Sequence, residues 1–268
     1  MNVYALAASG AWVAAGDSYT PPSPDDFWQP LFGHGILTFT RPMAVLLIAG
    51  IIVGGLLLWM SSNAQAVPTR KQYYLERIYD FVRNDIGRDM IGSEHFKRFI
   101  PLLFTLFTFI LLNNLMGVIP PFQNPPMARI GFPIALTLVV YLAYHYVGLK
   151  RFGLGGYFKH MVPPGLPKWI APFIFLLELI TYFITRPLTL ALRLFGNMFA
   201  GHMVLVLFIL GGEFLLLHGE GLVKLAGVAS FLMAILMTLF ELLIQFLQAY
   251  VFTLLTASYI GTALADEH

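Results

Sequence analysis

The chain has 268 residues, of which 58% are hydrophobic and only 11% are charged. Soluble domains carry about 25% charged residues, so this composition indicates a protein whose solvent is lipid. The formal net charge of +2 gives no basis for a nucleic-acid partner, and the absence of cysteine excludes disulfides and thiolate metal sites.

The chain starts with a segment whose only charges are acidic. Residues 1–40 contain three aspartates and no lysine or arginine. A cleaved signal peptide has a basic segment before its apolar run, and the mildly apolar run at the start of this chain has none. We therefore expect residues 1–40 to be an extracytoplasmic N-terminal segment, and residues 41–268 to form a membrane domain.

Five stretches are long and apolar enough to cross a membrane, which needs roughly 20 apolar residues. They are about 42–60, 99–119, 130–149, 171–211 and 222–263. The fold class is therefore an all-α membrane protein. The last two stretches exceed one perpendicular crossing, so we expect a hairpin of long helices that tilt steeply, with Pro187 as one place for a kink.

A further helix is predicted between the first two spans, at about 72–92. Seven apolar residues recur there at helical spacing with charges between them: Tyr74, Leu75, Ile78, Phe81, Val82, Ile86 and Ile91. This pattern favours an amphipathic helix at the cytoplasmic interface. The alternative is a short soluble helix that packs on nothing.

The charges of the loops predict the orientation of the spans. Segment 61–98 holds seven cations: Arg70, Lys71, Arg77, Arg83, Arg88, Lys97 and Arg98. The loop after the third span holds Lys150, Arg151, Lys159 and Lys168, whereas the loops on the other side are nearly free of cations. We expect the N-terminus outside and the C-terminus in the cytoplasm, with the chain in a bacterial plasma membrane.

Motifs of independent enzymes are missing from the sequence. There is no GxxxxGK[ST], no HExxH and no nucleophile elbow, so we expect no enzyme site, no nucleotide site and no cofactor in this chain. No internal repeat is visible either, which counts against an inverted-repeat carrier.

Ionisable residues at membrane depth carry most of the functional information. Five lie well inside apolar segments, namely Glu178, Arg186, Arg193, His202 and Glu241, and His145 lies near the cytoplasmic end of the third span. Such residues usually face a bundle interior or a water-filled cavity, and they mark ion or proton pathways.

Helical spacing groups these residues into faces. Arg186 and Arg193 lie within about 20° of each other, and Asn197 is one turn beyond Arg193. His202 falls on the opposite side of that helix, roughly 13 Å along its axis. On the last helix, a narrow polar stripe is predicted that comprises Glu241, Gln245, Gln248 and Tyr259.

Structural roles compete with these functional ones. Glu241 alone could be the partner of His202 or of an arginine, His202 could be a satisfied interior histidine, and Glu178 could reach the interface. Arg193 is harder to explain structurally, because a guanidinium in a protein does not lose its proton and so cannot become neutral. It can, however, lower the pKa of a neighbouring carboxylate and hold it ionised.

The motif RPLTLALRLFGNMFAGH at 186–202 resembles the signature of subunit a of F-type ATP synthases. FELLIQFLQAYVFTLLTASYI at 240–260 is similar to the last helix of that family. NLMGVIPP at 114–121 and VPTRKQYYLERIYDFVR at 67–83 are similar to it as well. The resemblance covers about residues 40–268.

The resemblance implies the stator of a rotary motor, which packs against a ring of c subunits and contacts peripheral-stalk b subunits. Two offset half-channels would bring protons to a carboxylate on each c subunit. Arg193 would separate the half-channels, and Asn197 and Gln248 would surround it. His202 and Glu241 would lie in the outer half-channel, and Glu178 near the inner one.

Supporting positions in the same reading are Arg186, Gln245, Tyr259, Asn114 and His145. Two other classes of function remain open from the residues alone. One is a secondary transporter or ion channel in which Arg193 binds an anionic substrate. The other is a membrane-embedded assembly protein in which the polar stripe only fixes the register of the helices.

Overall fold

The protein is described here from a computed structural model. The structure describes residues 21–23, 30–32, 38–62, 69–119, 125–162, 167 and 169–265. Most of the predicted segment 1–40, the cation Lys168 and the last three residues lie outside these ranges. Five described helices are long and apolar enough to cross a membrane, which confirms the predicted all-α membrane fold.

The first described elements are a short strand pair and a membrane helix. Strands β1 (Pro30–Phe32) and β2 (Phe39–Thr40) pair antiparallel, with Pro30 opposite Thr40. The sequence patterns did not predict this pair. Helix α1 (Arg41–Ser62) follows directly and coincides with the first predicted span. Its second residue is Pro42, where a missing N–H breaks no helical hydrogen bond.

The predicted helix at 72–92 is present as three consecutive helical stretches. They are α2 (Arg70–Asp80), a π-helix (Phe81–Arg88) and α3 (Asp89–Ile91). The side chain of Thr69 caps α2 by accepting a hydrogen bond from the backbone N–H of Gln72 at 3.4 Å. Its position at the membrane interface stays a prediction.

The apolar residues of this segment are divided between two environments. Val82, Ile86 and Ile91 are buried, whereas Tyr74 and Ile78 are exposed. The ring of Phe81 lies 5.8 Å from that of Phe107 and 5.7 Å from that of Tyr250 (centroid to centroid). The π-helical part is therefore packed on other helices, which is at odds with the alternative of a helix packed on nothing.

The second and third spans are α4 (Ile100–Val118) and α5 (Gly131–His160), which follow the short 3₁₀ turns Phe96–Arg98 and Pro126–Ala128. The third helix runs eleven residues past its predicted end at 149. It contains a kink at Gly153, whose φ of 68° is accessible to glycine at little cost. Lys150, Arg151 and Lys159 therefore lie on a bent helical extension rather than in a loop.

The fourth span consists of α6 (Ala171–Ile180), a π-helix (Thr181–Thr185) and α7 (Arg186–His218). The π-helix ends two residues before Pro187. Proline has no N–H, and its ring collides with the carbonyl four residues earlier, so the turn before it must widen. The irregularity predicted near Pro187 is thus a widened turn in a helical span that continues from Ala171 to His218.

The last span is α8 (Leu222–Leu264), which follows a turn with Gly221 at φ 54°. The chain divides into two compact units: the first comprises residues 1–51, 112–129 and 196–246, and the second comprises 52–111, 130–195 and 247–268. In the first unit, contacts between α7 and α8 run in antiparallel order. The Ser230 hydroxyl donates to the Phe208 carbonyl at 2.7 Å, and Gly201 faces Glu241 further along. The predicted hairpin is therefore present.

Close packing of the second unit gives a stability prediction at Gly261. A Cβ added there would collide with the backbone carbonyl oxygen of Met90 in α3. Backbone cannot move aside as a flexible side chain can, so we expect Gly261→Ala to destabilise the protein by about 1–3 kcal/mol. Thermal unfolding of the purified complex measures this.

Gly54→Ala on α1 is the matched control, because no atom lies within 4 Å of the added Cβ. Alanine is favoured over glycine in a helix interior, so the control is expected to be neutral or slightly stabilising. Equal effects of the two substitutions would show that α3 and α8 do not pack closely at Gly261.

Candidate functional site

A chain of buried polar groups crosses the first unit. The side chain of Gln245 donates from Nε2 to Oε1 of Glu241 at 3.4 Å. Asn114 of α4 in turn donates from Nδ2 to the backbone carbonyl of Gln245, also at 3.4 Å. Both distances are beyond the usual 2.7–3.2 Å, so these are weak hydrogen bonds. The structure thus joins three of the predicted residues.

Several polar atoms of this group lack protein partners. Glu241 Oε2, Gln245 Oε1 and Asn114 Oδ1 are buried and have no hydrogen-bond partner among the described residues. A buried unsatisfied polar atom costs about 1–3 kcal/mol, and such atoms in native proteins are usually satisfied by ordered water. The group has the chemistry of a hydrated carboxylate site.

Helix α7 closes the other side of this group. An added Cβ on Gly201 would lie 3.6 Å from the carboxyl carbon of Glu241, so α7 presents its backbone to the carboxylate. The neighbouring residue, His202, is buried, with 6% of its surface exposed. The first unit therefore contains both members of the predicted histidine–glutamate pair, and Glu241 is only 4% exposed.

In the second unit, Arg186 is surrounded by tyrosines. Its guanidinium carbon lies 3.6 Å from the ring centroid of Tyr182 and 4.9 Å from that of Tyr259. The electron-rich ring faces stabilise the cation, which is a cation–π interaction. Nη1 of Arg186 is buried without a hydrogen-bond partner among the described residues.

His145 belongs to the same aromatic group. The Tyr157 hydroxyl lies 2.6 Å from Nδ1 of His145, a short hydrogen bond whose donor depends on the tautomer. The ring of Phe183 lies 4.7 Å from the imidazole, centroid to centroid. Nearby, the Tyr144 hydroxyl donates to the backbone carbonyl of Tyr182 at 2.7 Å. This hydrogen bond connects α5 to the π-helical turn that precedes Arg186.

Arg193 differs from the other intramembrane groups because it is exposed. Among the described residues it forms no hydrogen bond or salt bridge. The neighbouring exposed positions on this part of α7 in the second unit are Leu188, Thr189 and Leu192. A permanent cation therefore lies on a largely apolar exposed face of α7.

The remaining predicted residues occupy separate places. Gln248 is buried in the second unit, and Asn197 is exposed on α7 in the first. Glu178 on α6 is partly exposed and forms no ion pair within the described part of the chain. No group of three or more histidine, aspartate or glutamate residues in that part could hold a metal ion.

Sequence reasoning included Tyr259 but missed Tyr182 beside Arg186 and the tyrosines around His145. The signal was present, since Tyr141, Tyr144, His145 and Gly148 recur on one face of α5. Gly148 permits the close approach of Tyr157, whose ring atoms lie 2.5 and 2.8 Å from an added Cβ. Tyr182, one turn before Arg186, could have been found by the same spacing.

A buried arginine outside the spans was also missed. Arg129 is 8% exposed and donates from Nη1 to the hydroxyl of Thr40 at 3.2 Å. Burial lowers the pKa of Arg129 to about 10, because a low dielectric disfavours the cation. The side chain is still charged at neutral pH. It connects the turn before α5 to the start of α1.

The fold and these groups define a polytopic helical membrane protein with buried titratable residues in its spans. The family model described as ATP synthase A chain matches residues 43–261. The chain therefore belongs to the ATP synthase A chain family, and it is a membrane subunit that works within the ATP synthase complex.

Relatives named ATP synthase subunit a are similar over nearly the whole chain. The protein of Nocardioides sp. is 43% identical over 98% of this chain and 99% of its own length. That of Rhodococcus erythropolis is 39% identical over 95% of this chain and 94% of its own length. That of Parafrankia sp. is 42% identical over 95% of this chain and 88% of its own length.

Proposed function

We propose that this chain is the proton-conducting stator subunit of an F-type ATP synthase. It forms two offset half-channels against a ring of c subunits and couples proton flow to rotation of the ring. The exposed, unpaired Arg193 on an apolar helix surface carries this proposal. A guanidinium in contact with hydrocarbon costs at least about 2.5–3.5 kcal/mol, so a partner that brings an anion is required.

The surface around Arg193 suits a moving helical partner. Thr189 and Leu192 are exposed beside it, and Asn197 and Ala200 are exposed further along α7. Small side chains allow helix backbones to approach closely in membranes. A ring carboxylate that passes this surface would meet the arginine, which lowers the carboxyl pKa and releases its proton.

The buried groups of the first unit support an outer proton path. Glu241 and His202 can both exchange protons, and Gln245 and Asn114 provide hydrogen-bonding groups next to them. The unsatisfied oxygen atoms of this group favour bound water. In this proposal, protons from outside reach the ring carboxylate through Glu241 and His202.

The second unit supports the inner path. Protons leave towards the cytoplasm past Glu178, and the group around His145 and Arg186 lines the same side. Arg186 is held by Tyr182 and Tyr259, and its fixed positive charge repels excess protons from neighbouring positions. Gln248 is a buried amide of α8, and in this proposal it lies close to Arg193.

Rotation of the ring follows from the free-energy cost of moving an ionised carboxylate into lipid. A carboxylate that has lost its proton cannot re-enter hydrocarbon until it regains one. Arg193 separates the two paths because protons do not cross a fixed cation. The peripheral-stalk b subunits hold this stator still, in a bacterial plasma membrane with the N-terminus outside.

Cysteine accessibility tests the outer path, since the chain has no natural cysteine. We expect Asn114→Cys and Gln245→Cys to react with silver ions in membranes, because water reaches both positions. Leu205→Cys, which replaces an apolar side chain that is also buried in the first unit, is the matched control. The measurement is protection against later alkylation, which does not require an active complex.

Equal protection of all three cysteines would contradict the proposed outer path, and so would silver reactivity at Leu205→Cys alone.

A further inference from the structure

A cavity in the second unit is unrelated to the proton path. It has a volume of about 350 Å³, within the range of small-molecule sites. Its walls come from the turn before α4, from the middle of α5 and from Leu264 at the end of α8. All these residues belong to the second unit.

Basic residues contribute to the walls of the cavity. Four of the lining residues are His95, Arg98, Lys150 and Arg151, and no lining residue is acidic. Lys150 Nζ lies 5.7 Å from the ring centroid of Tyr146, which also lines the cavity. The surface that faces the cavity is nearly all apolar, so the basic residues line it mainly with their carbon atoms. Arg98 and Lys150 are exposed, so their charged groups are accessible to an anion that can accept several hydrogen bonds.

Apolar side chains complete the walls of the cavity. Phe99, Ala143, Val147 and Leu264 provide it. A cavity that combines cations with a hydrocarbon wall matches a ligand with an anionic head and an apolar tail. A free inorganic anion would gain nothing from this wall.

The cavity also lies at the depth of lipid headgroups. Helix α4 begins at Ile100 and α8 ends at Leu264, so both membrane helices end beside it. Helix α5 reaches Lys150 about 20 residues after Gly131, which is about the length of one membrane crossing. The three helices therefore place the cations where the hydrocarbon ends, whichever side of the membrane this is.

We propose that this cavity binds one anionic phospholipid. Arg98, Lys150 and Arg151 hold the phosphate, and an acyl chain lies along Phe99 and Val147. Basic pockets between membrane helices bind anionic headgroups, and each cation near an anionic lipid surface contributes about 1 kcal/mol. The lipid would contact the start of α4, the middle of α5 and the end of α8.

Native mass spectrometry of the intact ATP synthase complex tests this proposal. The complex is exchanged into phosphatidylcholine nanodiscs with increasing fractions of phosphatidylglycerol, and tightly held lipids are counted. We expect Lys150→Gln/Arg151→Gln to weaken retention of one phosphatidylglycerol about 30-fold. Arg70→Gln/Lys97→Gln removes the same charge at exposed positions outside the cavity and should leave retention unchanged.

Three results would overturn the proposal. One is equal retention by the cavity variant and the wild type. Another is displacement of the lipid by millimolar inorganic phosphate, which would define a site for free anions. The third is an equal loss of retention in the Arg70→Gln/Lys97→Gln variant, which would make the effect one of overall charge rather than of this cavity.

A second measurement uses only the wild-type complex, in case the cavity variant does not assemble. Phosphatidylglycerol with a photoreactive acyl chain is expected to label peptides that contain Phe99 and Val147. Labelling confined to other peptides of this chain would contradict the assignment.

Discussion

Inverted membrane vesicles that carry Arg193→Ala are expected to show no ATP-driven proton pumping. In the proposed mechanism, a ring carboxylate would then meet no fixed cation, so it would exchange protons with both half-channels. Flow of protons is then no longer tied to rotation. After removal of the soluble head, the same membranes should still conduct protons passively, at least as well as the wild type.

The matched control is Arg77→Ala, which removes an exposed arginine outside the membrane spans. It should pump at the wild-type rate. Arg193→Lys separates charge from shape, because lysine keeps the charge but lacks the planar guanidinium. Normal pumping by Arg193→Ala would rule out the proposed role, and a substrate-binding or structural role would replace it.

Glu241→Gln is expected to lower the rate of ATP-driven pumping by about tenfold to a hundredfold. The substitution keeps the size of the side chain and its contact with Gly201, but it removes a group that exchanges protons. Losing a positioned acid–base group typically costs a factor of about 10² or more when that step limits the rate. Pumping is measured by quenching of a pH-sensitive dye in inverted vesicles.

Glu213→Gln is the control for this experiment, because it makes the same change on α7 at a partly exposed position. We expect it to pump normally. Full function of Glu241→Gln would instead favour the reading in which the polar stripe only fixes the register of the helices. The amount of assembled complex must be equal in all samples, so that a loss of pumping reflects lost proton exchange rather than poor assembly.

The helices could be predicted from the sequence because hydropathy alone decides which stretches enter lipid. The first span, predicted at 42–60, corresponds to α1 (Arg41–Ser62) within two residues at each end. The third helix extends past the predicted end of the third span because its polar extension is still helical. Gly153 bends α5 there but does not terminate it. Composition records where the hydrocarbon ends, whereas the helix ends where its backbone hydrogen bonds stop.

The candidate site could be predicted only in part. Buried ionisable residues stand out in an apolar sequence, so Glu241, His202 and Arg186 could be found without a structure. The contacts between these residues and their neighbours could not be found in the same way. Asn114 approaches Gln245 across 131 positions of sequence, and the tyrosines around Arg186 come from three helical segments. Such groups depend on tertiary packing, which periodicity along one helix does not encode.

Disulfide cross-linking tests most directly whether the exposed face of α7 meets the c-ring. A cysteine is placed on the carboxylate-bearing helix of the ring, and another at Ala200 of this otherwise cysteine-free chain. A disulfide forms only when the two Cα atoms come within about 7 Å. Ala191→Cys on α7 is the control, because Ala191 is buried whereas Ala200 is exposed.

We predict that oxidation links Ala200→Cys to the ring and stops ATP-driven pumping, whereas Ala191→Cys forms no such link. Failure of Ala200→Cys to cross-link, or equal cross-linking from Ala191→Cys, would contradict a rotor that moves past Arg193.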